Sequence, residues 1–248
     1  MKNLYNNILH IPYKGIKHIG GISMKKLFEL WKNYSYVLLI AFIVVSLFDF
    51  RISMVAVICM IAPIFVSIFR GRFWCGNLCP RGNFYDNIMS RFSKKKDVPN
   101  FLKSIYLRLL VVLFMFSIFG LGIKKNWGYP AGIGMVVYRM IVITTFIGVV
   151  LSFFYSNRTW CHFCPMGSIA AFISYFRKDK KVLEVSNTCV NCKICEKKCP
   201  MGICPYNYKG SVLSHPDCIQ CAKCVIACPK NSIGYGKIEK DDVERENR

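Results

Sequence analysis

Four long apolar runs divide the chain, at roughly 34–50, 52–69, 105–123 and 133–155. Each is near the ~20 residues that an α-helix needs to cross a bilayer. The first two are separated only by Asp49 and Arg51 around Phe50. They are read as a tight helical hairpin, because a single long helix would hold both charges in hydrocarbon. After about residue 180 the apolar runs stop and a cysteine-rich segment extends to about 238. The pattern predicts an N-terminal segment over 1–33, a four-helix membrane domain over 34–179, a small domain over 180–238 and a charged tail over 239–248.

Composition supports the membrane reading. Hydrophobic residues make up 54% and aromatics 15% of the 248 residues, more than soluble domains carry. The net charge of +21 comes from 34 basic and 13 acidic side chains. Glu239, Asp241, Asp242, Glu244 and Glu246 crowd the tail, while Lys and Arg bunch between the apolar runs. That placement fits membrane loops, with no fold-level sign of nucleic-acid binding. Lys2, Lys14, Lys17, Lys25, Lys26 and Lys32 precede the first run, and a basic stretch from Arg70 to Lys103 lies between the second and third. The opposite side carries only Arg51, Lys124 and Lys125. The positive-inside rule then places both termini and the middle loop in the cytoplasm, in a multi-pass inner-membrane topology. No signal peptide is expected, since the first 33 residues lack a short apolar core and cleavage site.

The 14 cysteines fall into motifs. Cys189, Cys192, Cys195 and Cys199-Pro200 form C-x2-C-x2-C-x3-C-P, and Cys218, Cys221, Cys224 and Cys228-Pro229 repeat it. A zinc site needs only two C-x-x-C pairs and would not explain the full run occurring twice. The doubled run resembles that of bacterial two-cluster ferredoxins. The resemblance implies an α+β ferredoxin-like domain with two [4Fe–4S] clusters. It assigns Cys189, Cys192, Cys195 and Cys228 to one cluster, and Cys218, Cys221, Cys224 and Cys199 to the other.

Two further pairs end the second and fourth apolar runs. FRGRFWCGNLCPRGNF holds Cys75 and Cys79, and SNRTWCHFCPMGSI holds Cys161 and Cys164. The two stretches share an Arg, a Trp-Cys pair, Cys-Pro and a Gly. They predict two helix-hairpin repeats that bring the Cys-Pro segments together at one membrane face. Four thiolates there suffice for a third iron–sulfur cluster. A structural set of reduced thiols and a reversible dithiol relay are the other readings.

Four helices, two Cys-x(2–3)-Cys-Pro motifs and a C-terminal two-cluster domain together resemble the NapH/NosR-type family of polytopic membrane iron–sulfur proteins, in its compact NapH-like form. The resemblance spans roughly residues 30–235. It implies electron transfer between a membrane carrier, quinol or quinone, and a separate redox partner protein, with the chain a quinol-dehydrogenase subunit or an electron-transfer component. Two alternatives stay open: a metal-site assembly factor or redox sensor working through the Cys-Pro dithiols, and a membrane anchor for a reductase. Arg139, with Trp127 and Tyr129 in the loop NWGYPAG, is a candidate quinone contact; snorkelling and an interfacial aromatic belt account for the same residues. Arg108 reads as a lipid anchor, Asp49 as a turn residue and Cys59 as a small buried apolar group. His162 is either a hydrogen-bond donor to a cluster or an exposed linker residue. Cys204 exceeds the eight ligands of the doubled run.

Overall fold

A computed structural model describes residues 24–94, 96, 98–176 and 183–235, with side chains from Phe28 and from Leu30 onward. The charged tail and most of the expected N-terminal segment lie outside these residues. Eleven helices are labelled in chain order: α1 (Met24–Phe48), α2 (Ala56–Arg70), α3 (Phe73–Asn77), α4 (Pro80–Phe84), α5 (Ser90–Phe92), α6 (Asn100–Lys103), α7 (Ile105–Lys125), α8 (Pro130–Phe154), α9 (Pro165–Phe176), α10 (Ile194–Lys198) and α11 (Lys223–Ala227). Among the described residues, four segments are long and apolar enough to cross a membrane: Leu30–Phe48, Phe50–Arg70, Ile105–Lys125 and Pro130–Phe154.

These helices turn their apolar side chains outward. None of Ile105–Lys125 is buried within the chain, and Leu109, Leu110, Leu113 and Phe114 are all exposed. In water such a surface would be a large liability, whereas in hydrocarbon it is the required one.

The helix bounds differ from the apolar runs for local reasons. α1 is already helical at Met24, nearly three turns before the run at 34, because lysines and other straight-chain residues continue a helix that hydropathy alone would end. The hairpin after α1 opens with a 3-10 turn over Phe50–Val55, whose cap Asp49 accepts a hydrogen bond from the Arg51 N–H at 2.9 Å. Asp49 is exposed and serves as that turn residue. Gly134 of α8 lets the Phe50 carbonyl approach where any Cβ would clash. α8 starts at Pro130, ahead of the run at 133, since proline's fixed φ suits the first helical position.

The C-terminal part is built from short pieces. Strands β1 (Glu184–Val185), β2 (Ser211–Val212) and β3 (Ile233–Gly234) form an antiparallel sheet in the order β2-β1-β3. Its core gathers Leu183, Val185, Met201, Ile203, Leu213 and Ile219 around the cysteines. Cys75 and Cys161 pack against the same core, so the membrane helices and the cysteine-rich part meet at the Cys-Pro segments.

Candidate functional site

The cysteine-rich part encloses two small cavities. One is lined by Cys189, Cys192, Cys195 and Cys228, the other by Cys199, Cys218, Cys221 and Cys224. Each draws three cysteines from one C-x2-C-x2-C run and one from the other run. The backbone enforces the wrap. Asn191 and Lys193 in the first run, and Gln220 and Ala222 in the second, have φ between +54° and +62°. Left-handed backbone is strained for such residues and persists where its surroundings over-determine it. Four thiols fixed on one rigid cube would do so. The amides of Ile203 and Ser232 donate to Cys199 Sγ and Cys228 Sγ at 3.4 and 3.3 Å. Among the described residues no three His, Cys, Asp or Glu side chains meet closely enough to share one metal ion. A cube takes one thiolate on each of its irons, and the four cysteines lining each cavity are that donor set. The spare Cys204 donates to Glu196 Oε1 at 3.3 Å, and Tyr206 donates to the other carboxylate oxygen at 3.2 Å.

At the membrane face, α3 carries Cys75 and Cys79 caps α4, while Cys161 lies in a 3-10 turn over Thr159–His162 and Cys164 directly precedes α9. Pro80 and Pro165 stand at or beside the first helical residues. The four thiols lie close enough to influence one another. Burial pushes the Cys75 thiol up to about 12, with Arg72 opposing and Cys79, Cys164 and Cys161 adding to the rise. Burial likewise raises Cys161. A metal-free thiol here stays protonated, and metal binding would release the protons.

Two arginines hold this arrangement by exchanging places. Arg72, three residues before Cys75, donates to the Cys161 carbonyl at 2.7 Å. Arg158, three residues before Cys161, donates to the Cys75 carbonyl. Gly82 and Gly167, each in Cys-Pro-x-Gly, leave room for the incoming guanidinium. A Cβ at Gly82 would lie 2.7 Å from Arg158 Nη1, and one at Gly167 2.7 Å from Arg72 Nη2. Both arginines are fully buried, which demands paired charge. Arg72 pairs with Asp217 at 2.8 Å, and Arg158 with Asp86 at 2.8 Å. Arg108 completes the first network at 2.7 Å from Asp217, and Lys223 the second at 2.9 Å from Asp86. Burial works against the Asp86 carboxylate, but Arg158 and Lys223 hold it well below the usual range.

Both networks tie the membrane helices to the cysteine-rich part. Gln220 donates to the Arg70 carbonyl, and Asn77 to the Gln220 carbonyl at 3.1 Å. Gly76 presses on the Ile219 backbone, where a side chain could not fit. Cys75 and Cys218 thus flank adjoining loops.

Beneath the Cys-Pro segments lies a cavity of about 300 Å³, walled by apolar residues of α1, α2, α7, α8 and α9 and reaching Cys75, Cys79 and Cys164. Its main charged wall group is Arg81. Arg81 donates to Thr144 Oγ1 at 2.9 Å and to Cys164 Sγ at 3.3 Å, and its guanidinium lies 5.6 Å from the Trp160 ring centroid. Among the described residues it forms no ion pair with a carboxylate. Trp74 and Trp160 also line this cavity, and their buried indole N–H groups have no partner among the described residues. A cation and two free donors around four thiols suit a negatively charged, acceptor-rich group.

Several sequence expectations change. Arg108 is an ion-pair partner of Asp217 rather than a lipid anchor, because the acid arrives from 109 residues away. Cys59 is exposed rather than buried, since it faces the cavity and lipid side of α2. His162 is buried, its Nε2 unpartnered, so it is no exposed linker; burial and then Arg72 lower its pKa to about 3. Trp127, Tyr129 and Arg139 are exposed. The two aromatics sit at the far end of α8 from Cys161, roughly 35 Å away at 1.5 Å per residue, and none of the three lines the cavity beneath the Cys-Pro segments.

Comparison with known proteins matches a 4Fe-4S binding domain family twice, over residues 52–99 and 138–183, and a 4Fe-4S dicluster domain family over 188–233. Two curated relatives come from the archaeon Methanocaldococcus jannaschii. "Uncharacterized protein MJ0750" is 31% identical over 193 residues, covering 71% of this chain and 76% of that protein. "Uncharacterized protein MJ0749" is 26% identical over 188 residues, covering 75% and 72%. The chain belongs to the family of the first of these. No solved structure matches the chain.

Proposed function

We propose that this member of the MJ0750 family is a membrane-bound electron-transfer protein of NapH-like type, passing single electrons between a lipid-soluble carrier, quinol or quinone, and a redox partner protein. When bound, [4Fe–4S] cubes supply one-electron chemistry. Cys189, Cys192, Cys195 and Cys228 would hold one, Cys199, Cys218, Cys221 and Cys224 a second, and Cys75, Cys79, Cys161 and Cys164 a third. The observation that carries this reading is the membrane cavity, apolar along its walls and ending on cysteines of both Cys-Pro segments. Its volume is in the range of small-molecule sites. The reciprocal arginines and the double family match support two helix-hairpin repeats meeting there. Gly76 against Ile219 brings the membrane site to the wall of the second cluster site, giving a continuous path. The loop charges favour a cytoplasmic position for the cysteine-rich part.

Arg81 and Thr144 would orient the carrier's oxygen, and the apolar helices would take its tail. The test uses anaerobically purified protein in nanodiscs, reduced with dithionite and mixed with a decyl-quinone. Rapid return of the oxidised absorbance is expected, slowed about tenfold or more by Met60→Trp, a one-side-chain obstruction of the wall where snug packing tolerates little added volume. Oxidation by ferricyanide should be unchanged. Oxidation by ferricyanide but none by the quinone, in wild type, would eliminate the carrier reading.

A further inference from the structure

We propose that the solvent face of the site formed by Cys189, Cys192, Cys195 and Cys228 is an electron port for an acidic, soluble one-electron carrier protein. This rests on the electron-transfer reading above and assigns the partner's chemistry and its place of contact.

The two cavities of the cysteine-rich part differ in their surroundings. The one with Cys199, Cys218, Cys221 and Cys224 is the inner one: its wall residue Ile219 is pressed against Gly76 of the membrane face. The other faces outward. Cys192 is exposed, unlike the other seven cysteines of the doubled run. Beside it Val190 is 61% and Ile194 39% exposed, an apolar centre on an otherwise polar surface.

Basic side chains crowd that centre. Lys193 lies between Cys192 and Cys195, Lys197 and Lys198 follow on α10, and Lys230 lines the same cavity beside Cys228. All four lysines are exposed. The neighbouring carboxylate, Glu196, is engaged by Cys204 and Tyr206. A small apolar contact ringed by cations matches what transient electron-transfer encounters use: a modest interface, with electrostatic steering supplying rate. Lipid is the poorer occupant, because the residue that meets the membrane face, Ile219 against Gly76, lines the other cavity and not this one. One electron crosses per encounter. The site at Cys189, Cys192, Cys195 and Cys228 is oxidised by one electron as the carrier's iron centre is reduced by one, or the reverse; no proton moves and no bond forms or breaks.

The test uses the full chain in neutral-lipid nanodiscs, with iron content matched between samples. Stopped-flow oxidation of the reduced protein is followed with an acidic [2Fe–2S] ferredoxin, with basic cytochrome c and with a zwitterionic viologen sulfonate. Relative to the viologen reaction of the same variant, which carries any shift in potential, Lys193→Glu/Lys197→Glu/Lys230→Glu should slow the ferredoxin reaction at least about tenfold at low salt and speed the cytochrome reaction. The Gln triple variant should fall between, and added salt should slow the wild-type ferredoxin reaction. Equal ferredoxin rates in wild type and the Glu variant, or rates indifferent to salt, would overturn the port while leaving the protein an electron carrier. No exchange with even the viologen in wild type would overturn the electron-transfer reading and the port with it.

Discussion

Arg158→Met should strongly destabilise the membrane face of the protein. It strips a largely buried Asp86 of its bidentate partner, leaving Lys223 and Asn157, and leaves the Cys75 carbonyl without its guanidinium donor. Breaking a buried ion pair by removing one member costs about 3–5 kcal/mol, which for a domain of this size lowers the melting temperature by on the order of 10 °C. Thermal unfolding in detergent, read by helicity and by loss of iron-dependent absorbance, measures it. Arg158→Lys should recover only part, because an ammonium cannot span Asp86 and the Cys75 carbonyl together. Melting within a degree or two of wild type would contradict the arginine exchange. The same pair sets an acid limit. The folded-state Asp86 pKa lies below its unfolded value, so its contribution is fully present above the ordinary aspartate range. That contribution is lost as pH falls through the folded value, and the wild-type advantage over Arg158→Met should shrink on acidification.

The second large effect belongs to Arg81. Its guanidinium touches Cys164 Sγ and Thr144 while forming no ion pair with a carboxylate among the described residues. A cation beside an electron-accepting centre favours the reduced, more negative form. Unit charges about 6 Å apart interact by about 3 kcal/mol at an effective dielectric constant of 20, equivalent to on the order of 100 mV for a one-electron couple. Arg81→Met should therefore lower one midpoint potential by on the order of 100 mV and leave the other two almost unmoved, in an EPR-monitored redox titration. Met166 already occupies the matching position of the second Cys-Pro segment, so methionine suits the local backbone. Arg81→Lys should hold most of the potential. Three unshifted potentials would mean that Arg81 does not face a cluster.

Much of the architecture was legible because it depends on local properties. Apolar length announced the four spans, and the spacing of Cys189 to Cys228 carries its chemistry in a few residues. The likeness of FRGRFWC and SNRTWC already marked one arginine in each stretch. What spacing could not reveal was that each arginine serves the other stretch, 83 and 89 residues away. Arg108 was misjudged for the same reason: a basic residue near a helix end looks like a lipid anchor until Asp217 is brought to it. Arg139, Trp127 and Tyr129 drew attention as polar and aromatic groups near hydrocarbon. The cavity takes Met140, Ile141 and Thr144 from the middle of α8, and its charged group, Arg81, lies on the short helix α4, which hydropathy leaves unread. The exposure of Cys59 likewise depends on which side of α2 meets the cavity.

The central claim is that the two Cys-Pro segments hold a third cluster and join the bilayer to the cysteine-rich part. Iron and acid-labile sulfide per chain, measured on anaerobically purified protein beside Cys75→Ser/Cys161→Ser, test it most directly. Three cubes require about 12 irons in wild type, falling toward about 8 in the double variant. About 8 irons in both proteins, with the four thiols open to alkylation, would contradict the claim and leave the membrane cysteines without a cluster.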